Sequence, residues 1–131
     1  MNATGLTLFQ RMEQRLHWLA SRQTVLSQNI ANADTPGYVA KELKPLSFGD
    51  HMNLKLASTS AGHLGGTGQG VAPVVVEDEA ATETGPDGNR VSLEDQMMKI
   101  ADNGMEYQAI LNLYRKQYSM LKTALGRGTT A

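Results

Sequence analysis

The chain has no cysteine and few aromatic residues. The absence of cysteine from all 131 residues excludes disulfide frameworks, thiol catalysis and cysteine-based zinc sites. Aromatic residues make up 5% of the sequence and glycine occurs 13 times, which is thin for one compact globular core. Apolar runs stay well short of the ~20 residues that cross a bilayer, so we expect no direct membrane span.

Motifs of catalysis and ligand binding are also missing. His17, His51 and His63 are scattered along the chain without the paired spacing of a metal site on a helix. The glycines of residues 62–70 lack the spacing of a dinucleotide fingerprint or a P-loop. The net charge is -1, and no basic face interleaved with aromatic residues suggests nucleic-acid binding. We therefore predict no enzyme, no cofactor or metal site and no nucleic-acid partner.

Apolar residues near the N-terminus recur at alternating spacings of three and four. This is the a/d pattern of a coiled-coil seam, and it predicts a helix over about residues 4–33. Gln23 is the one polar residue at a seam position of this pattern. The predicted assembly seam of this helix consists of Phe9, Met12, Leu16, Leu19, Leu26 and Ile30.

The C-terminal part of the chain repeats this design over a longer span. Ser92 and Asp95 have the form of a capping box at its start, and Gly126 marks its end. The predicted seam of this second helix starts at Leu93, passes Gly104 and includes Met97, Ile100, Tyr107, Leu111, Tyr114, Tyr118, Leu121 and Leu125. The two helices predict a mainly α fold in which they form an antiparallel coiled-coil hairpin.

The middle of the chain is irregular. We predict one structural unit in three parts, which are the N-terminal helix and turn (1–38), the middle segment (39–90) and the C-terminal helix (91–131). Within the middle, Phe48 and Met52 allow a short helix, and a Gly-rich loop covers 62–70. The β-branched run of 71–76 and a second run ending at Val91 allow a short β-hairpin.

Ten residues, N-I-A-N-A-D-T-P-G-Y, turn the chain sharply after the first helix. Pro36 presets its own φ and Gly37 tolerates a positive one, which predicts a type II turn over 35–38. Asn29 and Asn32 are weak helix formers whose amides can bond local backbone groups. The predicted turn motif comprises Asn29, Ile30, Asn32, Asp34, Thr35, Pro36, Gly37 and Tyr38.

Two long apolar stripes need more cover than one hairpin supplies. Further apolar residues lie off the seams, at Leu6, Val25, Met98, Ile110 and Leu113. Isolated helices are marginal in water and depend on packing of their apolar stripe. Two arrangements stay open, a self-contained hairpin with exposed extra residues and a hairpin completed by neighbouring copies. The pattern favours the second.

The string from Asn29 to Tyr38 strongly resembles the N-terminal signature of the bacterial flagellar rod and hook proteins. The segment A-D-N-G-M-E-Y-Q of residues 101–108 and the short chain resemble the proximal rod members of that family. This resemblance implies a structural subunit that polymerises into the hollow drive shaft, which links the membrane ring to the distal rod and transmits torque. It implies a place in the basal body and export without a cleaved signal peptide.

The same resemblance implies the partners. These are copies of the chain and other rod proteins, the membrane-ring protein with its rod adaptor and, transiently, the flagellar export apparatus. Subunits of this family carry an export-gate recognition element, a Phe followed four residues later by an apolar side chain, and Phe48 with Met52 matches it. The alternative for this pair is packing onto the long helices.

A rival of another class is a cytoplasmic coiled-coil adaptor or export chaperone. It would share the heptad seams and the lack of catalytic residues, but it would not be expected to carry the turn string of residues 29–38. Secretion from a strain that cannot complete its rod separates the two, because an axial subunit is exported and a chaperone is not.

Overall fold

The computed structural model describes residues 3–46, 73–79, 81, 84–86 and 88–126, with side chains described from Thr7 onward. The elements are helix α1, strands β1 and β2, and helix α2, which span Ala3–Ala31, Lys41–Leu43, Val75–Glu77 and Leu93–Gly126. The chain is therefore mainly helical, as its periodicity predicts. The predicted short helix with Phe48 and Met52, and the glycine loop of 62–70, lie outside the described residues.

The end of α1 and the start of α2 both carry recognisable local signals. In α1, the amide of Asn32 still donates to Gln28 O at 3.0 Å, and Ala33 N then donates to Ile30 O at 3.1 Å, so the last turn tightens. At the start of α2, Asp95 N donates to the Ser92 hydroxyl at 3.4 Å. The predicted Ser92 cap is thereby confirmed. With 34 residues, α2 is about 51 Å long at the usual helical rise.

The helices form an antiparallel hairpin, as predicted, and its coiled-coil packing stays a prediction. The rings of Phe9 and Tyr114 meet edge to face, with centroids 5.4 Å apart. Nearer the turn, Asn29 bonds to Gln96 at 2.8 Å. The N-terminal part of α1 therefore lies beside the C-terminal part of α2, and α1 packs along most of the length of α2.

A small core lies where the hairpin meets β1. Trp18, Leu19, Val25 and Leu43 form one buried cluster, against which Leu46, Tyr107 and Ile110 pack. The Trp18 indole N–H donates to Lys44 O at 2.9 Å, which satisfies its polar atom in this apolar site. Strand β1 thus closes the side of the hairpin near its turn.

The strand pairing corrects the sequence interpretation. Strand β2 pairs antiparallel with β1, in the register Lys41↔Glu77, Glu42↔Val76 and Leu43↔Val75, and not with residues near Val91. The partner is β1 because Leu43 is buried in the core and so holds this strand beside α1. Arg90 instead makes an isolated parallel bridge with Val39. The sheet is therefore a long-range pair rather than the predicted local hairpin.

Candidate functional site

The turn motif begins with a tight reversal that needs glycine. Gly37 has a φ of 72°, and Tyr38 N donates to Thr35 O at 3.2 Å. The positive φ predicted at Gly37 is therefore confirmed. Four motif residues at the tip of this turn are exposed, Asp34, Thr35, Pro36 and Gly37, while Ile30, Asn32 and Tyr38 are half-buried.

Asn29 ties three parts of the chain together. Its side chain is fully buried, and its amide nitrogen donates to Lys41 O at 2.7 Å and to Gln96 Oε1 at 2.8 Å. Its amide oxygen accepts from Lys41 N at 2.9 Å and from the Tyr38 hydroxyl at 3.3 Å. One carboxamide therefore pairs with the peptide groups of Lys41 as a neighbouring strand would, and also holds the first turn of α2.

Long-range bonding at Asn29 differs from the local role that its residue type predicts. Asn32 follows the local expectation, because its amide nitrogen donates to Gln28 O at 2.8 Å. Asn29 instead bonds residues 12 and 67 positions away. Asn29 directly precedes the seam residue Ile30. This position beside the seam is what distinguishes Asn29 from Asn32 in the sequence.

The segment before α2 rests on this turn. Arg90 N donates to Tyr38 O at 2.9 Å, and Ala40 N donates to Arg90 O at 3.4 Å. The side chain of Asn89 donates to Ala33 O. Gly88 also has a positive φ, of 73°, and a Cβ placed on it would lie 3.9 Å from the Gly37 Cα. The two turns therefore lie in close contact.

A charged network covers the same junction. The Arg22 guanidinium donates two bonds of 2.9 Å to the Glu42 carboxylate. The Lys99 ammonium lies 3.9 Å from Glu42, 3.1 Å from Asp95 and in contact with Asp78. These ion pairs join α1, β1, the residue after β2 and α2, so the network links every described element at this end of the hairpin.

The network shifts the pKa values of its members. Burial raises the pKa of Glu42, but the hydrogen bonds from Arg22 and from the Leu43 amide, with the charge of Lys99, outweigh burial and leave the pKa below its ordinary 4.5. The bond with Glu42 raises the pKa of Arg22. Burial lowers the pKa of Lys99, yet its bonds to Asp78 and Asp95 outweigh this and raise it. The charges of Arg22, Glu42 and Lys99 are therefore present at neutral pH.

The predicted seam of α1 faces inward. Met12, Leu19 and Leu26 are buried, whereas Phe9, Leu16 and Ile30 are half-buried. Trp18 and Val25 are also buried although neither lies on the predicted seam. They reach the core because β1 packs on α1 beside α2, which widens the buried face beyond a strict a/d stripe.

The predicted seam of α2 is divided between two environments. Three of its members, Ile100, Tyr107 and Tyr114, are half-buried. They form the shared ridge, which lies between two rows of side chains on α2. On one side of this ridge lies the inner row, which contributes to the interface with α1 and consists of Gln96, Asn103, Ile110 and Gln117. On the other side lies the outer row, which occupies every seventh position and consists of Met97, Gly104, Leu111, Tyr118 and Leu125.

The outer row is largely uncovered. Met97, Tyr118 and Leu125 are 57%, 59% and 60% exposed, and Leu111 is half-buried. Leu121, at the end of the ridge, is exposed as well. Four residues of the predicted assembly seam are therefore exposed in the single chain, namely Met97, Tyr118, Leu121 and Leu125, and their role in assembly stays a prediction.

Other kinds of site are not formed by the part of the chain that the structure describes. Within those residues there is no group of three or more His, Asp or Glu side chains that could hold a metal ion. No described helix is long and apolar enough to cross a membrane. The features that stand out are the turn junction and the outer row.

Comparison with known proteins identifies relatives of this chain. The family model described as flagella basal body rod protein matches residues 13–38, which end with the turn motif. The flagellar basal body rod protein FlgB of Escherichia coli K12 is 32% identical over 127 residues, covering 88% of this chain and 91% of that protein. FlgB of Agrobacterium fabrum is 28% identical, covering 93% and 95%, and FlgB of Bacillus subtilis 168 is 28% identical, covering 91% and 93%.

Proposed function

This chain belongs to the FlgB family of flagellar basal body rod proteins, and from that premise we propose how it assembles. The protein is a structural subunit of the proximal rod. Copies of it and other rod proteins pack helix against helix into a hollow shaft that links the membrane ring to the distal rod and carries torque. Head-to-tail contacts that do not close produce such an open helical assembly.

The outer row of α2 is the observation that carries this proposal. It carries an apolar side chain at every seventh position except Gly104, yet Met97, Tyr118 and Leu125 are exposed rather than packed on α1. Gly104 lies at its centre, where an added Cβ would meet no described atom within 4 Å. A neighbouring helix can therefore approach the backbone closely at this point and pack its own side chains between Met97 and Leu111, as in a coiled coil.

Covering the row supplies a useful driving force. Burying one large apolar side chain stabilises by about 1.5 to 3 kcal/mol. Met97, Tyr118 and Leu125 are each more than half exposed, so covering their open surface contributes about 4 kcal/mol per subunit. Repeated in every copy, this burial adds to the other contacts between subunits and offsets part of the cost of association.

Specific neighbours follow from the same proposal. We propose that the turn junction, whose tip at Pro36 and Gly37 is exposed, contacts the subunit or ring component at one end of each copy. The membrane-ring protein and its rod adaptor are the partners proposed for this end. The shaft as a whole lies in the basal body, which the chain reaches through the flagellar export apparatus without a cleaved signal peptide.

Two methionines on α2 allow a matched test. Met97 lies on the outer row, and Met105 lies off it with a similar exposure of 65%. We expect Met97→Asp to abolish rod assembly and motility because it places a charge in the subunit contact. Met105→Asp should leave both intact. Rod content of purified basal bodies and swimming in soft agar measure the effect, with secretion as the check that each variant is made.

Two results would contradict this assignment of the contact. Normal rods with Met97→Asp would mean that the outer row stays uncovered in the shaft. Loss of rods with both variants would mean that α2 is covered on all sides, so the row would have no special role.

The export proposal concerns Phe48 and Met52. Two apolar groups four residues apart lie on one face of a transient helix and give the export gate a small hydrophobic handle. Phe48→Ala should then keep the protein in the cytoplasm, whereas a pure packing defect would allow secretion without assembly. Normal secretion of the Phe48→Ala protein would remove the gate role.

A further inference from the structure

The interface between the two helices buries the more polar side of α2. The inner row carries the amides of Gln96 and Asn103, which are 1% and 2% exposed. The outer row carries Met97 beside Gln96, Gly104 beside Asn103 and Leu111 beside Ile110. Burial of apolar area alone would favour the opposite arrangement, with the outer row against α1. Some other contact therefore selects the face.

Amide groups on α1 match those on the inner row. Asn103 Nδ2 donates to the side-chain oxygen of Gln23 and to Leu19 O, each at 3.0 Å. Gln96 Oε1 accepts from Asn29 Nδ2 at 2.8 Å. A buried amide without partners is costly, whereas one that is bonded is tolerated. The match makes the polar row acceptable inside the hairpin.

We propose that Gln23, assisted by Asn29, is a specificity-determining residue that selects the inner row of α2 for packing against α1. Selection of this face leaves the outer row outside the hairpin. Its use by neighbouring subunits rests on the proposed function, but the selection itself is a property of the single chain.

The alternative face is close in geometry. The inner and outer rows are one residue apart, about 100° around a helix, with the shared ridge between them. A roll of α2 by about 100° would therefore bring the outer row to the place of the inner row, with the ridge at the other edge of the contact. Asn29 would still bond to Lys41 after the roll, so its own amide does not prevent it. The bond between Gln23 and Asn103 is made only with the present face, as are the bonds of Asn29 to Gln96 and of Arg15 to Glu106.

Asn103 makes Gln23 especially important. Its Oδ1 atom is buried and has no hydrogen-bond partner among the described residues. If Gln23 is replaced by leucine, Asn103 loses one of the two acceptors for its amide nitrogen as well. The roll then becomes favourable, because it moves Asn103 toward water and brings the outer row over Leu19 and the new leucine.

Single introduced cysteines report which face is buried, because the chain has none of its own. Met97→Cys marks the outer row and Ile110→Cys marks the inner row, and each is alkylated in the full-length protein in solution. In the otherwise unchanged chain, we expect Met97→Cys to react several-fold faster than Ile110→Cys. Adding Gln23→Leu should reverse this order. Gln14→Leu, at an exposed position of α1, is the matched control and should leave the order unchanged.

The outcomes separate face selection from simple stability. Faster reaction of both thiols with Gln23→Leu would show that the hairpin only loosens, and unchanged rates would show that apolar packing alone sets the face. Either result overturns the proposal, as would equal rates at the two positions before Gln23 is changed.

A compensating variant adds a second test. Gln23→Leu combined with Asn103→Leu removes both members of the amide pair, so nothing polar is left unpaired there and the bond from Asn29 to Gln96 again favours the inner row. The original order of rates should return, and a persisting reversal would overturn the proposal. None of these measurements needs a rod, so failure of the Met97→Asp experiment would leave them informative.

Discussion

Replacement of Asn29 by alanine is the sharpest test of the turn junction. The substitution removes the carboxamide but keeps the helical backbone, and alanine is a good helix former. Nothing in α1 itself is therefore weakened. What is lost are the bonds to both peptide groups of Lys41, to Gln96 and to the Tyr38 hydroxyl.

The expected loss follows from these four bonds. A typical hydrogen bond contributes about 0.5–1.5 kcal/mol, and a buried partner left unsatisfied costs about 1–3 kcal/mol. Gln96 is buried and loses its bond from Asn29. We therefore expect Asn29→Ala to lower the free energy of unfolding by about 3–5 kcal/mol, a large share of the 5–15 kcal/mol typical of a domain.

Asn32→Ala is the matched control. It removes the same side chain three residues further along, where the amide bonds locally to Gln28 O. We expect a loss of about 1 kcal/mol or less from this change. Urea unfolding followed by circular dichroism at 222 nm measures both variants, and an unchanged m-value shows that the same surface is exposed on unfolding.

Equal losses for the two asparagines would refute the reasoning, because the long-range bonds of Asn29 would then contribute nothing beyond a local one. A loss below about 1 kcal/mol for Asn29→Ala would refute it as well, since water would have replaced the carboxamide at little cost.

Three further predictions concern packing, backbone and charge. Leu26→Ala, at a fully buried position, should cost about 2–5 kcal/mol in urea unfolding, whereas Leu125→Ala should leave that free energy unchanged and reduce rod yield; equal stability losses would contradict this. Gly37→Ala should cost about 1–2 kcal/mol because of its positive φ, and Gly104→Ala should not destabilise the helix. Because the pKa of Glu42 lies below its ordinary 4.5 when folded, its contribution is complete above that pH and is lost as pH falls through the folded value. Glu42→Gln should therefore lower the melting temperature at pH 7 more than at pH 3, and an equal effect at both would contradict the network.

Local signals predicted the elements that depend on local chemistry. The Ser92 cap, the glycine at the reversal and the heptad spacing act within one or two turns of the chain, so each can be identified from sequence. The α1 seam also points inward as its spacing indicates, with Leu19 and Leu26 fully buried. These features require no knowledge of what lies on the other side of the interface.

The face of α2 could not be predicted in the same way. Heptad counting ranks positions by apolarity and so groups Met97 with the shared ridge. The structure selects the row with Gln96 and Asn103 because their amides find partners on α1, and those partners are 67 and 80 residues away. Apolarity of a position carries no information about a polar partner so distant.

The pairing of β2 with β1 could not be predicted, for a related reason. Lys41 and Glu42 are poor strand formers by type, and the strand exists because Leu43 enters the core while Asn29 bonds the peptide of Lys41. The valines of β2 carry the stronger local signal but depend on this partner. A weak strand that is held by tertiary contacts cannot be predicted from the residues next to it in the sequence.

The two features that sequence missed have one consequence for assembly. A subunit that polymerises through helices has to keep an apolar surface uncovered while it is alone, yet burial of that surface within its own hairpin would be favourable. The amides of Gln23 and Asn29 oppose this by making a polar row the better partner for α1. On this proposal the bonds of Gln23 to Asn103 and of Asn29 to Gln96 keep the outer row available. A hairpin built on Met97, Tyr118 and Leu125 would bury them itself and leave no apolar surface for its neighbours to cover.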